Sequence, residues 1–445
     1  MIPTLCLTEF QSLHQGDAFC TSARTLTPRQ FQRLERFAES YERRLGIKVF
    51  QYGARHSLVA QNFVGVIHLE AFQVEILPKI DAPASRIRQN LLRMVAATLD
   101  LQLHDPQLGQ LDRSEHSTLE LLVRLFCERL WEAVHKGLVR RYEGSTANLS
   151  VLRGRLNVAQ QLRHNLARRD RLYCSFDEFT PDNPLNQALK AALRVLVKIV
   201  QTEASTRSLS ELMFCFCDVS DVPTSSIRWD GLSTDRLSSR FAPLLSMARM
   251  FVEGASPDLT SGAGDGFAVL FDMNKLFEEY VGRQVQSLTA MTRLTTRLQG
   301  PRRHLALRDS GAPCFKLRPD IVILSESDCA VVIDTKWKRL KAKTQGESIS
   351  STDLYQMFAY AKQYNCHAVI LLYPHHGELG DWTPCRDSYR FIDQSGFPHS
   401  QWLHVASLPL DDLNAATSRL RSVLEQAGGR PFGFNEALAQ APSIS

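Results

Sequence analysis

The stretch Arg318-Pro-Asp-Ile-Val-Ile-Leu-Ser-Glu-Ser-Asp-Cys-Ala-Val-Val-Ile-Asp-Thr-Lys336 decides the fold of the second half of this chain. Two apolar runs with β-branched residues, Asp320–Leu324 and Ala330–Thr335, lie on either side of the polar turn Ser325–Asp328. Such runs separated by a short polar turn are typical of a β-hairpin. The stretch therefore predicts two antiparallel strands whose open ends lie side by side.

Three charged side chains lie at that open end. Asp320 begins the first strand, while Asp334 and Lys336 end the second and point to one face, because residues two apart in a strand share a face. Two carboxylates can hold Mg²⁺, which binds phosphate oxygen and helps to form hydroxide, and a lysine can orient the attacking water. We therefore predict a phosphodiesterase site with Asp320, Asp334 and Lys336 as catalytic residues; the alternative is a pair of turn aspartates and a solvated lysine.

Two helices flank this hairpin and supply further candidates. Gln356 and Tyr360 lie four residues apart on a predicted helix at about 352–364, so they share a face and can contact the substrate backbone or support the site. Upstream, Glu278 or Glu279 of a predicted helix can add a third carboxylate to the metal, and Glu278 is our choice. An ordinary half-buried tyrosine, a surface glutamine and a solvated helix face are the alternatives.

Basic residues surround the predicted site. They form one cluster before the hairpin and one after it: Arg293, Arg297, Arg302, Arg303, His304 and Arg308, then Lys336, Lys338, Arg339, Lys341 and Lys343. We predict that Arg302, Arg303 and Lys338 contact DNA phosphates, because lysine and arginine supply most phosphate contacts. Ordinary surface charge is the alternative for both clusters.

Length and composition set the frame around this site. At about 100–200 residues per domain, 445 residues predict two to four domains. The composition is globular, and the net charge of +5 permits DNA binding without arguing for it. The scattered cysteines include no Cys-x-x-Cys, and Cys215-x-Cys217 is a weak metal candidate. With no signal peptide and no apolar stretch of membrane-spanning length, we expect a soluble cytoplasmic protein.

The chain divides into three predicted regions. Residues 1–110 form a β-containing domain with a hairpin at 64–69 and 72–77, and residues 111–255 form a helical middle region that opens with a long helix from Thr118 to Tyr142 and a break at 144–148. The small residues at 255–266 mark a boundary or mobile loop. Residues 256–445 then follow the order αβββαβ, with the first of those strands at about 303–307, which predicts an α/β domain with a mixed sheet.

Two absent motifs narrow the activity. The chain has no Gly-x-x-x-x-Gly-Lys-Ser/Thr, so it is not expected to be a P-loop NTPase itself, and no Gly-x-Ser-x-Gly hydrolase elbow. His375-His376 is predicted to be a loop rather than a metal site.

The pattern Asp320…Asp334-x-Lys336 resembles the PD-(D/E)XK nuclease superfamily, and Gln356-x-x-x-Tyr360 is similar to the extra motif of its RecB-type members. Further segments resemble the McrC family, the nuclease subunits of McrBC-type restriction systems; they are Asn62–Ile67, Val74–Ile80, Leu152–Leu156, Asp177–Asn186 and Phe271–Val281. The resemblance covers roughly residues 50–375. It implies a PD-(D/E)XK fold for the last region and a catalytic role for Asp320, Asp334 and Lys336.

The same resemblance implies a partner. McrC-like proteins dock through their N-terminal half on a hexameric AAA+ GTPase, McrB, stimulate its hydrolysis and receive double-stranded DNA whose methylated cytosine the partner recognises. We expect the contact in residues 50–150, with Arg140, Arg141 and Arg55 as candidates. Our main hypothesis is thus a Mg²⁺-dependent DNA endonuclease subunit for phage defence; a non-catalytic activator of the motor and a stand-alone repair nuclease are the alternatives.

Overall fold

A computed structural model describes residues 2–54, 56–99, 101, 117–232, 234–236, 238–255, 266–290, 292–325, 328–340 and 349–428. Several predictions fall outside these ranges. They concern Arg55, Lys341, Lys343, nearly all of the loop at 255–266 and the C-terminal tail. Within the described ranges, none of the helices combines the length and the apolar character needed to span a bilayer.

The described part of the first region contains seven strands and two helices. They are β1 Thr4–Thr8, β2 Ser12–Gln15, β3 Thr25–Leu26, α1 Pro28–Leu45, β4 Phe50–Gly53, β5 Ser57–Ala60, β6 Phe63–Leu69, β7 Phe72–Leu77 and α2 Ala84–Thr98. Strands β3-β2-β5-β4 form one sheet, and β1-β7-β6 lie in a second sheet. The predicted hairpin is confirmed, since β6 and β7 pair antiparallel with Leu69 opposite Phe72.

Helix α1 shows how local signals fix an element in this region. Thr27 caps it and exchanges hydrogen bonds with Gln30, and Pro28 occupies the first turn. Gly46 ends the helix in the left-handed conformation with φ of 69°. The buried side chains recur at helical spacing and pack against the small sheet; they are Phe31, Leu34, Phe37 and Tyr41.

The middle region is not wholly helical, and that prediction is wrong in part. Its elements are α3 Thr118–His135, β8 Arg141–Leu149, β9 Arg155–Leu156, α4 Val158–His164, β10 Leu172–Thr180, α5 Pro184–Val197, α6 Glu203–Cys215 and α7 Ala242–Gly254. The long helix ends at His135 because Gly137 takes a φ of 93°, outside the helical range. The predicted break at 144–148 lies inside β8, which pairs antiparallel with β10 along its whole length.

The last region contains a six-stranded sheet. Its elements are β11 Phe267–Asp272, α8 Met273–Thr289, β12 Leu294–Leu298, β13 Arg303–Leu307, β14 Pro313–Leu317, β15 Ile321–Ser325, β16 Asp328–Thr335, α9 Ser351–Tyr364, β17 Ala368–Pro374, β18 Cys385–Ile392, β19 Pro398–Leu408 and α10 Ala416–Gly428. The strand order is β12-β15-β16-β17-β19-β18. Its β16–β17 and β17–β19 pairs are parallel and the others antiparallel, so the predicted mixed sheet is confirmed.

One strand of the predicted αβββαβ order is misplaced. The strand at 303–307 exists as β13, but it pairs only with β14 in a separate two-stranded ribbon. The first strand of the sheet is instead β12, which pairs antiparallel with β15. The error arises because β12, Leu-Thr-Thr-Arg-Leu, has three polar residues and so a weak strand pattern, whereas His304-Leu-Ala-Leu has the stronger apolar signal.

The two halves of the chain share a sheet and a core. Strand β11 follows the predicted boundary at 255, yet it pairs antiparallel with β6 of the first region, with Asp272 opposite Phe63. The Asn62 side chain donates a hydrogen bond of 2.9 Å to the Asp272 carboxylate. One core cluster runs from Val64 to Ala427. The predicted boundary therefore does not coincide with a break in packing, because the pairing of β6 and β11 is not encoded locally.

Candidate active site

The hairpin β15–β16 places the predicted catalytic residues at one end of the large sheet. Ile321 pairs with Ile333, so Asp320 and Asp334 lie next to each other at the open end. Strand β16 is buried from Cys329 onward, because β15 and β17 pair with its two edges and helices cover both faces. The sheet therefore carries Asp334 into the interior, where the residue is only 2% exposed.

Asp320 is tied to the strand opposite. The Thr335 backbone N–H donates to Asp320 Oδ2 at 2.7 Å, and the Thr335 hydroxyl donates to the same oxygen at 2.8 Å. Burial raises the pKa of Asp320, while these hydrogen bonds and the Lys336 charge act in the opposite direction. Thr335, which the sequence analysis did not single out, thus fixes the orientation of one carboxylate. The available signal was the position of Thr335 in the sequence, between Asp334 and Lys336.

Asp334 is less well satisfied than Asp320. Lys336 Nζ lies 2.5 Å from Asp334 Oδ2 as an ion pair, but among the described residues no donor forms a well-directed hydrogen bond to that buried oxygen. Burial raises the pKa of Asp334 to about 7, with the neighbouring Asp320 carboxylate as the next cause. The site therefore holds two carboxylates that repel each other, with one lysine to offset them.

A chain of hydrogen bonds holds Lys336 in place. Its ammonium donates to Gln356 Oε1 at 3.0 Å, Gln356 Nε2 donates to the Tyr360 hydroxyl at 3.0 Å, and that hydroxyl donates to the Arg318 carbonyl at 3.1 Å. Gln356 and Tyr360 lie on the buried side of α9, and Tyr360 is only 2% exposed. They connect Lys336 to the segment that carries Asp320, so both sides of the site are held by one helix face.

Glu278 faces the same region from α8. It lines a cleft of about 280 Å³ together with Glu279, Gln299 and Asp320. Burial raises the pKa of Glu278, followed by repulsion from Asp320, and Gln299 Nε2 donates to Glu278 Oε1 at 3.0 Å. Among the described residues, no three His, Cys, Asp or Glu side chains are grouped closely enough to hold a metal ion. A metal-ligand role for Glu278 stays a prediction.

The three basic residues predicted to contact DNA have different surroundings. Arg302 is exposed. The Arg303 guanidinium donates to the Gln363 carbonyl and lies 5.0 Å from the centre of the Tyr364 ring. Lys338 forms an ion pair of 2.5 Å with Asp353 near the start of α9. Arg303 and Lys338 thus have protein partners, and Arg302 faces solvent.

A contact from the N-terminal half reaches the strand end next to Lys336. The Trp337 indole N–H donates to both oxygens of Glu9 at 3.0 Å, and the Lys79 backbone N–H donates to the same carboxylate at 3.0 Å. The Trp337 ring packs 5.4 Å from that of Phe277 in α8. Glu9 was missed, because nothing in the local sequence links it to a residue more than 300 positions away.

The donor set fits a hard divalent cation. Asp320 and Asp334 supply carboxylate oxygens, one of which has no well-directed donor, and the mutual repulsion would be relieved by a bound positive charge. Mg²⁺ commonly takes only one or two protein carboxylates and keeps several waters. Two carboxylates therefore suffice for Mg²⁺, and a third protein ligand is not required.

Comparisons with known proteins agree with this architecture. Residues 58–374 match the family described as McrBC 5-methylcytosine restriction system component. A chain of the half-complex from the tetradecameric assembly of Thermococcus gammatolerans McrB AAA+ hexamers with bound McrC aligns over 95% of this chain and 99% of its own, with a TM-score of 0.68 and 19% identity. A chain of the Thermococcus gammatolerans McrBC complex aligns over 64% and 88%, with a TM-score of 0.50 and 22% identity. At these identities the two structures establish a shared fold. No protein of curated function matches the chain.

Proposed function

The chain belongs to the McrBC 5-methylcytosine restriction system family, and from this premise we propose that it is the Mg²⁺-dependent DNA endonuclease subunit of such a system. The observation that carries the proposal is the pair of mutually repelling carboxylates, the half-buried Asp320 and the buried Asp334, with Lys336 ion-paired to Asp334. In a purely structural ion pair, one positive charge neutralises one negative charge. Here two acids share one lysine, which is the arrangement expected where a cation and a phosphate are to bind.

Each residue of the site has its own role in the proposed hydrolysis. Mg²⁺, when bound, supplies charge neutralisation at the phosphate and lowers the pKa of a water. Asp320 and Asp334 would hold it, with Thr335 fixing the orientation of Asp320. Lys336, pinned by Gln356, presents an ammonium that orients the attacking water and stabilises negative charge developing on the phosphate. On this proposal the PD-(D/E)XK assignment of the last region follows from the same residues.

We also propose that the chain works with a hexameric AAA+ GTPase, as the relatives' complexes of McrB with McrC suggest. Its surface has an element suited to such a contact, the arm formed by residues 141–180, with β8, β9, α4 and β10. The arm exposes many apolar side chains: Tyr142, Val151, Leu152, Val158, Leu162, Leu166 and Phe179. Large exposed apolar side chains gathered on one element favour a protein contact there. Arg140 and Arg141 lie at the base of the arm, within the region where docking was predicted.

The nuclease assignment is tested by cleavage of methylated duplex DNA with the partner GTPase, GTP and Mg²⁺. We expect Asp334→Ala and Lys336→Ala each to lower the cleavage rate at least about a thousandfold, by loss of the cation site or of transition-state charge stabilisation. The partner's GTPase stimulation is expected to be unchanged in both. Asp353→Ala is the matched control: this buried aspartate pairs with Lys338 and only adds negative charge near Asp334, so the variant should still cleave.

The outcome also separates the alternatives. Normal cleavage by both variants would refute the nuclease assignment and leave a non-catalytic activator of the motor. Cleavage by the wild-type chain without any partner would favour a stand-alone nuclease instead. The predicted specificity for methylated cytosine, which the resemblance assigns to the partner, and the cytoplasmic location stay predictions.

A further inference from the structure

The ribbon β13–β14 is the most exposed regular element next to the proposed active site. Every residue from Arg302 to Pro313 is exposed, as are Phe315 and Lys316. Leu307 is 69% exposed and Phe315 72% exposed. An isolated two-stranded ribbon is at best marginally stable in water, because it has no second layer against which to bury a face. The exposed apolar side chains therefore indicate a surface that is covered when the protein works.

The ribbon and its flanks also carry a net positive charge. Residues 302–318 contain five basic residues, Arg302, Arg303, Arg308, Lys316 and Arg318, and one acidic residue, Asp309, which gives 5 − 1 = +4. An exposed element with a net positive charge beside the proposed active site favours a polyanion as its partner.

The base of the ribbon is fixed to the catalytic helix. Arg303 donates to the Gln363 carbonyl at the end of α9, and the Tyr364 hydroxyl donates to the Pro301 carbonyl. At the other strand, the Arg318 carbonyl accepts from Tyr360. The ribbon is thus held at both strands by α9, the helix that positions Lys336 through Gln356, and β14 leads within three residues to Asp320.

We propose that the β13–β14 ribbon enters a groove of duplex DNA and aligns the scissile phosphate with Asp320, Asp334 and Lys336; this inference rests on the proposed nuclease function. The major groove, roughly 12 Å wide, admits a two-stranded ribbon. Arg302, Arg308 and Lys316 supply phosphate contacts, while Leu307 and Phe315 contact base edges. Because α9 holds both the ribbon and Lys336, a duplex that engages the ribbon is set in a fixed position relative to the site.

The experiment uses the complex with the partner GTPase and a non-hydrolysable GTP analogue, without added divalent metal. DNA is then bound but not cleaved, so the readout is binding. Duplex binding is measured over a salt series for the wild-type chain and Arg308→Ala/Lys316→Ala. We expect at least a tenfold loss of affinity and a slope of log K against log salt that is shallower by about 2, because two phosphate contacts are removed. Arg29→Ala/Arg36→Ala, two exposed arginines of α1, is the charge-matched control and should keep the wild-type slope.

A photo-crosslinker in place of Leu307 identifies directly what covers the ribbon. Crosslinks to DNA are expected, and crosslinks confined to the partner GTPase would make the ribbon a protein-docking surface and overturn the proposal. An unchanged salt slope in Arg308→Ala/Lys316→Ala would overturn it as well. Failure of the nuclease assignment is distinguishable, since it shows as normal cleavage by Asp334→Ala, whereas neither measurement on the ribbon depends on cleavage.

Discussion

Two buried carboxylates, Glu75 in the first half and Asp334 in the second, have opposite surroundings. Glu75, which is 0% exposed, accepts from both Arg88 Nε and Arg88 Nη2, the latter at 2.6 Å. It also accepts from the Thr118 backbone N–H at 2.9 Å and the Thr118 hydroxyl at 2.6 Å. Asp334, at 2% exposed, faces a second carboxylate, and one of its oxygens has no well-directed donor among the described residues.

On the proposed function, this difference distinguishes a structural acid, Glu75, from a functional one, Asp334. The bonds of Glu75 tie β7 to α2 and to the first turn of α3, so its charge is fully compensated within the fold. The charge of Asp334 is compensated only in part, because Asp320 opposes Lys336. We infer that the fold completes the Glu75 cluster on its own, whereas the Asp334 cluster is completed by a bound cation.

The largest expected effect is on the completed cluster. Glu75→Ala leaves the Arg88 guanidinium partly buried without its counter-charge, so we expect a loss of about 3–5 kcal/mol in the free energy of unfolding. Glu70→Ala is the control, because its ion pair with Arg33 is largely exposed and should contribute less than about 1 kcal/mol. Urea unfolding measures both. Equally small losses of unfolding free energy in both variants would show that Glu75 does not hold β7, α2 and α3 together.

A third buried carboxylate, Glu9, is intermediate between these two, since it accepts from the Trp337 indole and the Lys79 backbone, while the Lys79 charge offsets its burial only in part. Burial raises the pKa of Glu9 from 4.5 to about 7. A raised folded-state pKa gives stability that is full below about pH 4.5 and is lost as the pH rises through 7. We expect wild-type stability to fall between pH 5 and pH 8 by up to about 3 kcal/mol more than that of Glu9→Gln. Parallel pH profiles in urea unfolding would contradict this.

At the incomplete cluster, removing a charge should stabilise the fold. Asp334→Asn removes the repulsion with Asp320 and the cost of a buried charge. With a chelator present and without DNA, we therefore expect the free energy of unfolding to rise by roughly 1 kcal/mol at pH 8. Asp353→Asn should lose stability instead, because it breaks the pair with Lys338. Thermal unfolding of both variants gives the sign. A destabilised Asp334→Asn would make Asp334 a structural acid like Glu75.

The smallest effect is expected at the support of Lys336. Tyr360→Phe removes the hydroxyl that links Gln356 to the Arg318 carbonyl, at about 1 kcal/mol for one hydrogen bond. We expect cleavage slower by about fivefold to tenfold, with little change in stability. Tyr355→Phe, on the exposed side of the same helix, is the control and should cleave normally. Cleavage at the wild-type rate by Tyr360→Phe would remove the tyrosine from the positioning network.

Features of the fold and the site that depend on local sequence pattern could be predicted from the sequence. The hairpin β15–β16, the shared face of Gln356 and Tyr360, and the mixed sheet all follow from alternation, turn residues and helical spacing. The pairing of β6 with β11 joins residues about 200 positions apart and the contact of Glu9 with Trp337 residues more than 300 apart, so no local pattern contains them. The arm was missed because Leu138 extends the helical spacing of α3 past Gly137.

On the proposed function, Asp320 and Asp334 form an incomplete site that a divalent cation completes. The test is a titration of Mg²⁺ that follows the thermal unfolding of the full chain, without DNA or nucleotide. We predict a saturable rise in the unfolding temperature for the wild-type chain and for Asp353→Asn, and none for Asp334→Asn, because a ligand that binds only the folded state stabilises it. An equal rise in all three proteins, or no rise in the wild type at millimolar Mg²⁺, would contradict the account.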